Sequence, residues 1–222
     1  VDGCFGLSSG LAYAPGPYAA PEELVALGEV VARHRGIYTS HIRNQTEGIA
    51  AAVGEVTNVG RSARLAAHVS HMQPGDPMLG STRQLLEDMD ALRAEGVDIS
   101  CDAIPYTVGS TTLKSLLPPW ALDGGDEVLL RRLRDPALRE QIKADTMQHG
   151  AESGGSRKRN LVKSQQWEKI WLGSAEHNAR FAGLDFAEIG RRRQQDPHDA
   201  VLDILIEEEA RPWMLAEDVS EE

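Results

Sequence analysis

Residues 36–45 read GIYTSHIRNQ, a short apolar run that closes on a histidine followed by polar side chains. Residues 65–71, LAAHVSH, repeat the design, because another short apolar run closes on Ser-His. A single histidine at a strand end is most often a core or loop residue bonded to a backbone carbonyl. Two strands with the same ending predict instead that His41 and His71 belong to one shared site.

Short apolar segments alternate with helical patterns throughout residues 5–120. The predicted strands cover residues 5–11, 36–42, 65–71 and 97–101, and the predicted helices cover residues 21–34, 46–62 and 80–95. Pro21 suits the start of a helix, whereas Gly36 and Gly96 suit the breaks after two helices. Strand and helix units that recur about every 30 residues predict an α/β fold with a parallel sheet, either doubly wound or closed as a (β/α)₈ barrel.

The pattern changes after Trp120. Helical and charged segments cover residues 129–149, 184–193 and 196–209, with a predicted polar linker, ESGGSRKR, at residues 152–159. We therefore predict a domain of central βα units over residues 1–120 and a mainly helical insertion or accessory segment over residues 121–222. The charge runs at residues 191–193 and 207–209 are predicted to be solvated helix faces.

Composition narrows the functional classes. The formal net charge of −11 argues against a surface that follows nucleic-acid phosphates, so we expect a small-molecule partner. Two cysteines encode no disulfide framework, which favours a reducing cytoplasm. The sequence has no apolar run long enough to span a bilayer, so no membrane association is predicted.

Residues 6–10, GLSSG, match the G-x-S-x-G pattern of a serine-hydrolase nucleophile elbow. That motif requires a helix immediately after the serine. Pro15 and Pro17 follow instead, so we interpret Ser8 and Ser9 as small residues at a strand end.

His41 and His71 are the candidate metal ligands. Imidazoles at neighbouring strand ends can reach one Zn²⁺, but a catalytic zinc needs three protein ligands, and the third must come from elsewhere. Neither Asp102 nor Cys101 is singled out for it, since Asp102 suits a cap of the following loop equally well. His68 lies three residues before His71, so it should point to the opposite face and pack against a helix. The hydroxyl-rich stretch at residues 102–112, which contains Tyr106 and Ser110, is predicted to be a loop that offers hydroxyl and N–H groups to a polar ligand.

Taken in order, GLSSGLAYAPG, YTSHIRN, VSH, D-x-x-PYT-x-GST and LPPW resemble the D-aminoacylase (N-acyl-D-amino-acid deacylase) branch of the metal-dependent amidohydrolases. The later stretches DPALREQI, FAEIG, DPHDAVLDILIEE and AEDV are also similar to that branch, so the resemblance covers nearly the whole chain. The resemblance implies a (β/α)₈ barrel in which zinc-activated water hydrolyses an N-acyl-D-amino acid to a carboxylate and a free D-amino acid. It implies that His41 and His71 bind the metal and that Ser110 lines the substrate pocket. We also expect Tyr106 and Arg43 to contact the substrate.

The departures from that branch are equally specific. Its first-strand His-x-His, bridging cysteine and general-base aspartate have no counterparts, so we expect the chain to be a central fragment, about strands 4 to 7 plus the helical insertion, with the base beyond Glu222. Such a fragment is expected to be inactive alone. Gln73 stands where the branch has a lysine, and Ile104 stands where it has a tyrosine. Those two positions help to bind the substrate carboxylate in that branch, so the predicted binding of a carboxylate is affected. The alternative is a non-catalytic or truncated relative that keeps the scaffold without a complete metal site.

Overall fold

The computed structural model describes residues 3–13, 15–153 and 156–219. The chain divides into two compact units, one ending at Pro105 and the other beginning at Tyr106. The division therefore falls earlier than the predicted boundary at Trp120, which lies within the second unit.

The first unit has the predicted alternation of strands and helices. Its parallel strands are β1 (Gly6–Gly10), β2 (Ile37–His41), β3 (Ala67–Val69) and β4 (Ile99–Cys101), in the sheet order β1-β2-β3-β4. The helices between them are α1 (Pro21–Arg33), α2 (Ile49–Ala63) and α3 (Thr82–Ala94). After β1 the chain enters a turn and a short 3-10 segment at Gly16–Tyr18, which is not the geometry of a nucleophile elbow.

The two faces of this sheet differ in burial. One face packs in the apolar core, where Tyr38, Val69 and Ile99 are buried with Val56 of α2 and Met89 of α3. Side chains on the opposite face are partly or largely exposed; they include Ser8, Ile37, Thr39, His68 and Ser100. Ile37, an apolar residue on that face, is 46% exposed. His41 lies on this same face, which we call the polar face of the sheet.

The second unit is rich in helices, and it also contains a three-stranded sheet that the sequence analysis did not predict. Strands β5 (Val108–Thr112), β6 (Ile170–Ser174) and β7 (Trp213–Glu217) form an antiparallel sheet in the order β5-β7-β6. Burial alternates along β7, since Met214 and Ala216 are fully buried whereas Trp213 and Leu215 are 49% and 39% exposed. All four side chains are apolar, so the sequence carries no period-2 pattern there. The predicted loop at residues 102–112 was also wrong in its second half, which is β5.

Helices pack around that sheet. They are α4 (Pro119–Leu122), α5 (Asp126–Arg134), α6 (Pro136–His149), α7 (Arg159–Lys163), α8 (Phe186–Arg193) and α9 (Pro197–Glu207). The helix predicted over residues 129–149 is broken at Asp135, whose carboxylate accepts the N–H groups of Ala137 and Leu138 and so caps a new helix at Pro136.

The predicted polar linker was wrong where the structure describes it. Ser156, Arg157, Lys158 and Arg159 are all buried, while residues 154 and 155 lie outside the described residues. The Asp218 carboxylate accepts hydrogen bonds from Arg157 Nε at 2.6 Å and from Lys158 Nζ at 3.1 Å. Pairing with a carboxylate is what allows these cationic side chains to leave water.

The two charge runs are also more than solvated faces. Arg193 donates to both carboxylate oxygens of Glu207, at 3.1 and 2.7 Å. The Glu208 carboxylate is buried and accepts the N–H groups of Glu176 and Asn178, both at 2.7 Å. Burial acts to raise the pKa of Glu208, but these donors outweigh it and the pKa lies below its usual range. Glu208 therefore fixes the loop after β6.

No helix formed by the described residues is long and apolar enough to cross a membrane.

His198 is a buried titratable group in the second unit. It lies in the first turn of α9, is 4% exposed, and its ring centroid is 5.4 Å from that of Trp167. Burial, together with the positive charge of Lys143, lowers the pKa of His198 to about 4. The folded chain therefore keeps this imidazole neutral where an unfolded chain, with a pKa of about 6.5, begins to protonate it.

We expect the unfolding free energy of the second unit to fall by roughly 3 kcal/mol from this group as the pH drops from about 6.5 to about 4, because only the unfolded state binds the proton. His198→Phe keeps an aromatic ring beside Trp167 and should remove that part of the pH dependence. Urea unfolding followed by tryptophan fluorescence tests this, since Trp120, Trp167, Trp171 and Trp213 all lie in this unit. The exposed His177→Phe serves as the control; a full pH dependence in His198→Phe would refute the assignment.

Candidate metal centre

His41 and His71 lie together at the end of the parallel sheet. His41 is the last residue of β2, and His71 follows β3 in a turn with a φ of 38°. His41 Nδ1 is 3.0 Å from His71 Nε2, and the ring centroids are 4.4 Å apart in an edge-to-face arrangement. The Tyr13 ring packs against His41 at 4.9 Å between centroids. The structure thus brings both predicted histidines to one place, each with a ring nitrogen directed at the other.

The turn after β3 explains how His71 reaches this position. Strict alternation would put His71 on the same side as Ala67 and Val69, which are buried against the helices. The strand ends at Val69, and the positive φ at His71 redirects its side chain. The Asp102 carboxylate accepts the backbone N–H of His71 and holds this turn against the end of β4.

His68 does not pack against a helix, and that prediction was wrong. Its Nδ1 lies 2.8 Å from Ser100 Oγ and its Nε2 lies 2.9 Å from Asp102 Oδ2, on the exposed face of the sheet. The hydrogen bond with His68, followed by the one from the His71 backbone, holds the pKa of Asp102 below its usual range. Asp102 is therefore an ionised carboxylate that joins both segments.

Neither candidate for a third metal ligand completes a site. Burial raises the pKa of the Cys101 thiol, which disfavours the thiolate that a metal needs, and Asp102 is engaged by His68 and His71. Within residues 3–13, 15–153 and 156–219, no three His, Cys, Asp or Glu side chains form a group that could hold a metal ion. The donor chemistry of the histidine pair fits zinc, since two imidazole nitrogens lie 3.0 Å apart, but it supplies two ligands of the three required.

Gln45 is a site residue that the sequence analysis did not single out. Its side chain is 8% exposed, and its amide nitrogen lies 3.0 Å from the carbonyl oxygen of His71 and 3.2 Å from His71 Nδ1. The signal available in the sequence was only its position four residues after His41. Gln45 and Asp102 thus hold His71 from opposite ends of its backbone.

Arg43 has a different environment from the predicted substrate contact. Its Nε and Nη2 donate to the two carboxylate oxygens of Glu55 at 3.1 and 2.8 Å. Its Nη1 and Nη2 also donate to the carbonyl oxygens of Pro17 and Ala19, at 2.5 and 3.0 Å. These bonds place Arg43 between α2 and the segment after β1, where it links the two, and its role in substrate binding stays a prediction.

Ser110 and Tyr106 belong to the second unit. Ser110 is exposed in the middle of β5, where it pairs with Leu215 of β7. Tyr106 precedes that strand and is 71% exposed. Both hydroxyl side chains are accessible, and their role in substrate binding stays a prediction.

Comparison with known proteins supports the resemblance seen in the motifs. No protein-family model matches the chain. An N-acyl-D-glutamate deacylase from Alcaligenes xylosoxydans xylosoxydans is 42% identical over 114 residues, which are 50% of this chain and 23% of that protein. A D-aminoacylase from the same organism is 37% identical over 115 residues, which are 51% of this chain and 24% of that protein. The chain thus spans about a quarter of the length of these relatives.

The fold is also similar to that of a deacylase of known structure. The structure of an N-acyl-D-glutamate deacylase from Bordetella bronchiseptica, complexed with zinc and a phosphonate mimic of the tetrahedral intermediate, has a TM-score of 0.69 and 26% identity; the match covers 99% of this chain and 36% of that one. The chain is thus an α/β protein whose fold is similar to that of part of this deacylase. The predicted resemblance to the D-aminoacylase branch is confirmed by the relatives found.

Arg43→Lys should lower the unfolding free energy of the first unit by about 1–3 kcal/mol, because an ammonium group cannot make the bidentate contact with Glu55 and also reach two carbonyl oxygens. Hydrogen exchange of residues 15–20 and of α2, with urea unfolding followed by circular dichroism, measures the effect. The matched control is Arg61→Lys on α2, the helix that also carries Glu55. The ion pair of Arg61 with Glu95 is exposed and should contribute little to the unfolding free energy. Equal, negligible losses in both variants would contradict the structural role of Arg43.

Proposed function

We propose that this chain is the central part of a zinc-dependent amidohydrolase of the D-aminoacylase type. The whole protein would hydrolyse the amide bond of an N-acyl-D-amino acid, or a related N-acyl compound, to a carboxylate and a free amine. The observation that carries the proposal is the 3.0 Å approach of His41 Nδ1 and His71 Nε2 at the ends of neighbouring parallel strands. The similarity to deacylases over half of the chain supports the same chemistry.

Residues of this chain would supply two of the ligands. His41 and His71 would hold the metal, while Asp102 and Gln45 hold the turn that presents His71. When bound, zinc supplies Lewis acidity, which polarises an amide carbonyl and acidifies water. The third ligand and the general base that takes up the proton of water would come from outside residues 1–222.

The exposed polar face of the first sheet supports the interpretation as part of a larger barrel. In a closed (β/α)₈ barrel, one face of each strand packs against helices and the other lines the interior. β1 to β4 have the first kind of face, and the residues opposite it, Ile37 among them, are exposed. We propose that further strands cover this face in the whole protein, so that β1 to β4 correspond to about strands 4 to 7.

The substrate would be a small molecule, held in part by Ser110 and Tyr106. Its carboxylate would be held differently from the D-aminoacylase pattern, because Gln73 and Ile104 replace that branch's lysine and tyrosine. These two positions are in contact, since Gln73 Nε2 donates to the Ile104 carbonyl oxygen at 2.9 Å. We propose that they form one specificity element. A cytoplasmic location, favoured by the low cysteine content, stays a prediction.

A non-catalytic scaffold is the alternative function. The hydrogen bond between the two histidines favours it, because the two nitrogens that face each other are paired without a metal. The two proposals differ in one measurable property, the affinity of the histidine pair for zinc.

We expect the chain to bind zinc weakly, through His41 and His71, and each alanine variant to lower that affinity by about tenfold or more, because one imidazole alone is a poor zinc site. Competition with a chromophoric chelator, followed by metal analysis of the purified chain, measures binding. His34→Ala, which removes an exposed histidine next to α1, is the control. Zinc affinity that is the same in all three variants and the parent chain would favour the scaffold.

In the complete protein, Gln73→Lys combined with Ile104→Tyr should raise kcat/KM for N-acyl-D-amino acids about tenfold, because a charged hydrogen bond to a carboxylate contributes about 1.5–3 kcal/mol. Steady-state hydrolysis of N-acetyl-D-methionine tests this. Gln73→Met with Ile104→Phe adds similar bulk without polar groups and should give no gain. If the Lys/Tyr variant folds well yet is no faster, the substrate is held some other way.

A further inference from the structure

The orientation of the Gln45 amide follows from its two contacts with His71. One partner is the backbone carbonyl oxygen of His71, at 3.0 Å, and a carbonyl oxygen can only accept a hydrogen bond. The amide NH₂ must therefore face His71. The same nitrogen lies 3.2 Å from Nδ1 of the ring, so its second hydrogen is directed at Nδ1, which accepts it.

An accepting Nδ1 determines where the ring proton lies. A neutral imidazole carries a proton on one nitrogen only, so His71 carries it on Nε2. That N–H donates to His41 Nδ1 at 3.0 Å. The result is a directed chain of hydrogen bonds, from the Gln45 amide to His71 and from His71 to His41.

This tautomer is unsuited to metal binding through Nε2. A ligating nitrogen must offer its lone pair, and the other ring nitrogen of a metal-bound histidine usually donates to an oxygen. For His71 that means a proton on Nδ1 and an acceptor facing it. The Gln45 amide would have to turn so that Oε1 faces Nδ1, which gives up its bond to the His71 carbonyl. One proton leaves Nε2 and one binds Nδ1 through solvent, with no change in the net charge of the ring.

We propose that Gln45 is a positioning residue that sets the tautomer of His71 and thereby limits the affinity of the His41–His71 pair for zinc. The inference rests on the proposed zinc function and deepens it, because it identifies the residue that regulates metal loading. Gln45 is suited to this role since it is buried and reaches both the ring and the backbone of His71.

Gln45→Glu tests the proposal in the 222-residue chain. A carboxylate only accepts, so the variant should hold His71 with its proton on Nδ1 and bind zinc about tenfold more tightly, the lower end of the range for changes at residues behind metal ligands. Ring ¹⁵N chemical shifts of His71 identify the protonated nitrogen, and competition with a chromophoric chelator gives the affinity. Gln84→Glu makes the same change of charge at an exposed position on α3 and should alter neither reading.

Two results would overturn the proposal: a parent chain whose His71 carries its proton on Nδ1, or a folded Gln45→Glu variant that binds zinc no more tightly.

Gln45→Met is the second variant, for use if Gln45→Glu does not fold. It keeps the bulk of the side chain and removes both contacts, so His71 should show mixed tautomers and the zinc affinity should be intermediate. An unchanged His71 tautomer in Gln45→Met would also refute the role of Gln45. The proposed zinc function fails separately, if His41→Ala and His71→Ala bind zinc as the parent does, whereas the ¹⁵N shifts still report on Gln45.

Discussion

The parallel pairing of β2 with β3 is the constraint on which the rest of the first unit depends. It places Ser40 opposite Val69, so the two strands end at the same edge of the sheet and the segments that leave them begin side by side. The same register directs Tyr38 and Ala67 toward the helices and Thr39 and His68 toward the other face. The pleat of the strands thus puts the core residues on one face of the sheet and the polar residues on the other. A shift of one residue in the pairing of a strand would exchange its two faces.

The second unit achieves its stability differently, because charged side chains are part of its interior. Arg157 and Lys158 share the Asp218 carboxylate, and Glu208 collects N–H groups from the loop after β6. Each charge leaves water only because a partner with good geometry replaces the lost hydration. Such pairs make the local structure specific, since an aliphatic substitute on one side would leave a buried charge on the other.

The first sheet and the position of His41 could be predicted from the sequence, because the strand and helix patterns repeat at a regular spacing and two strands share the same polar ending. The orientation of His71 could not be predicted. Alternation along the strand directs His71 toward the helices, and only the early end of β3 and a positive φ reverse this. Arg43 illustrates a second limit: its position beside a candidate ligand gave no information about Glu55, its partner on a helix twelve residues later. The strands β6 and β7 were hidden because neighbouring charged helices dominated the pattern.

The contact between Gln73 and Ile104 has an evolutionary consequence. The Gln73 amide bonds to the backbone carbonyl of residue 104, so the bond does not depend on which side chain residue 104 carries. A substitution at position 104 can therefore keep this bond, whereas a change at position 73 loses the link between the two segments. The side chain at position 104 is thus free to vary with the ligand while the main-chain bond from Gln73 keeps the two segments together.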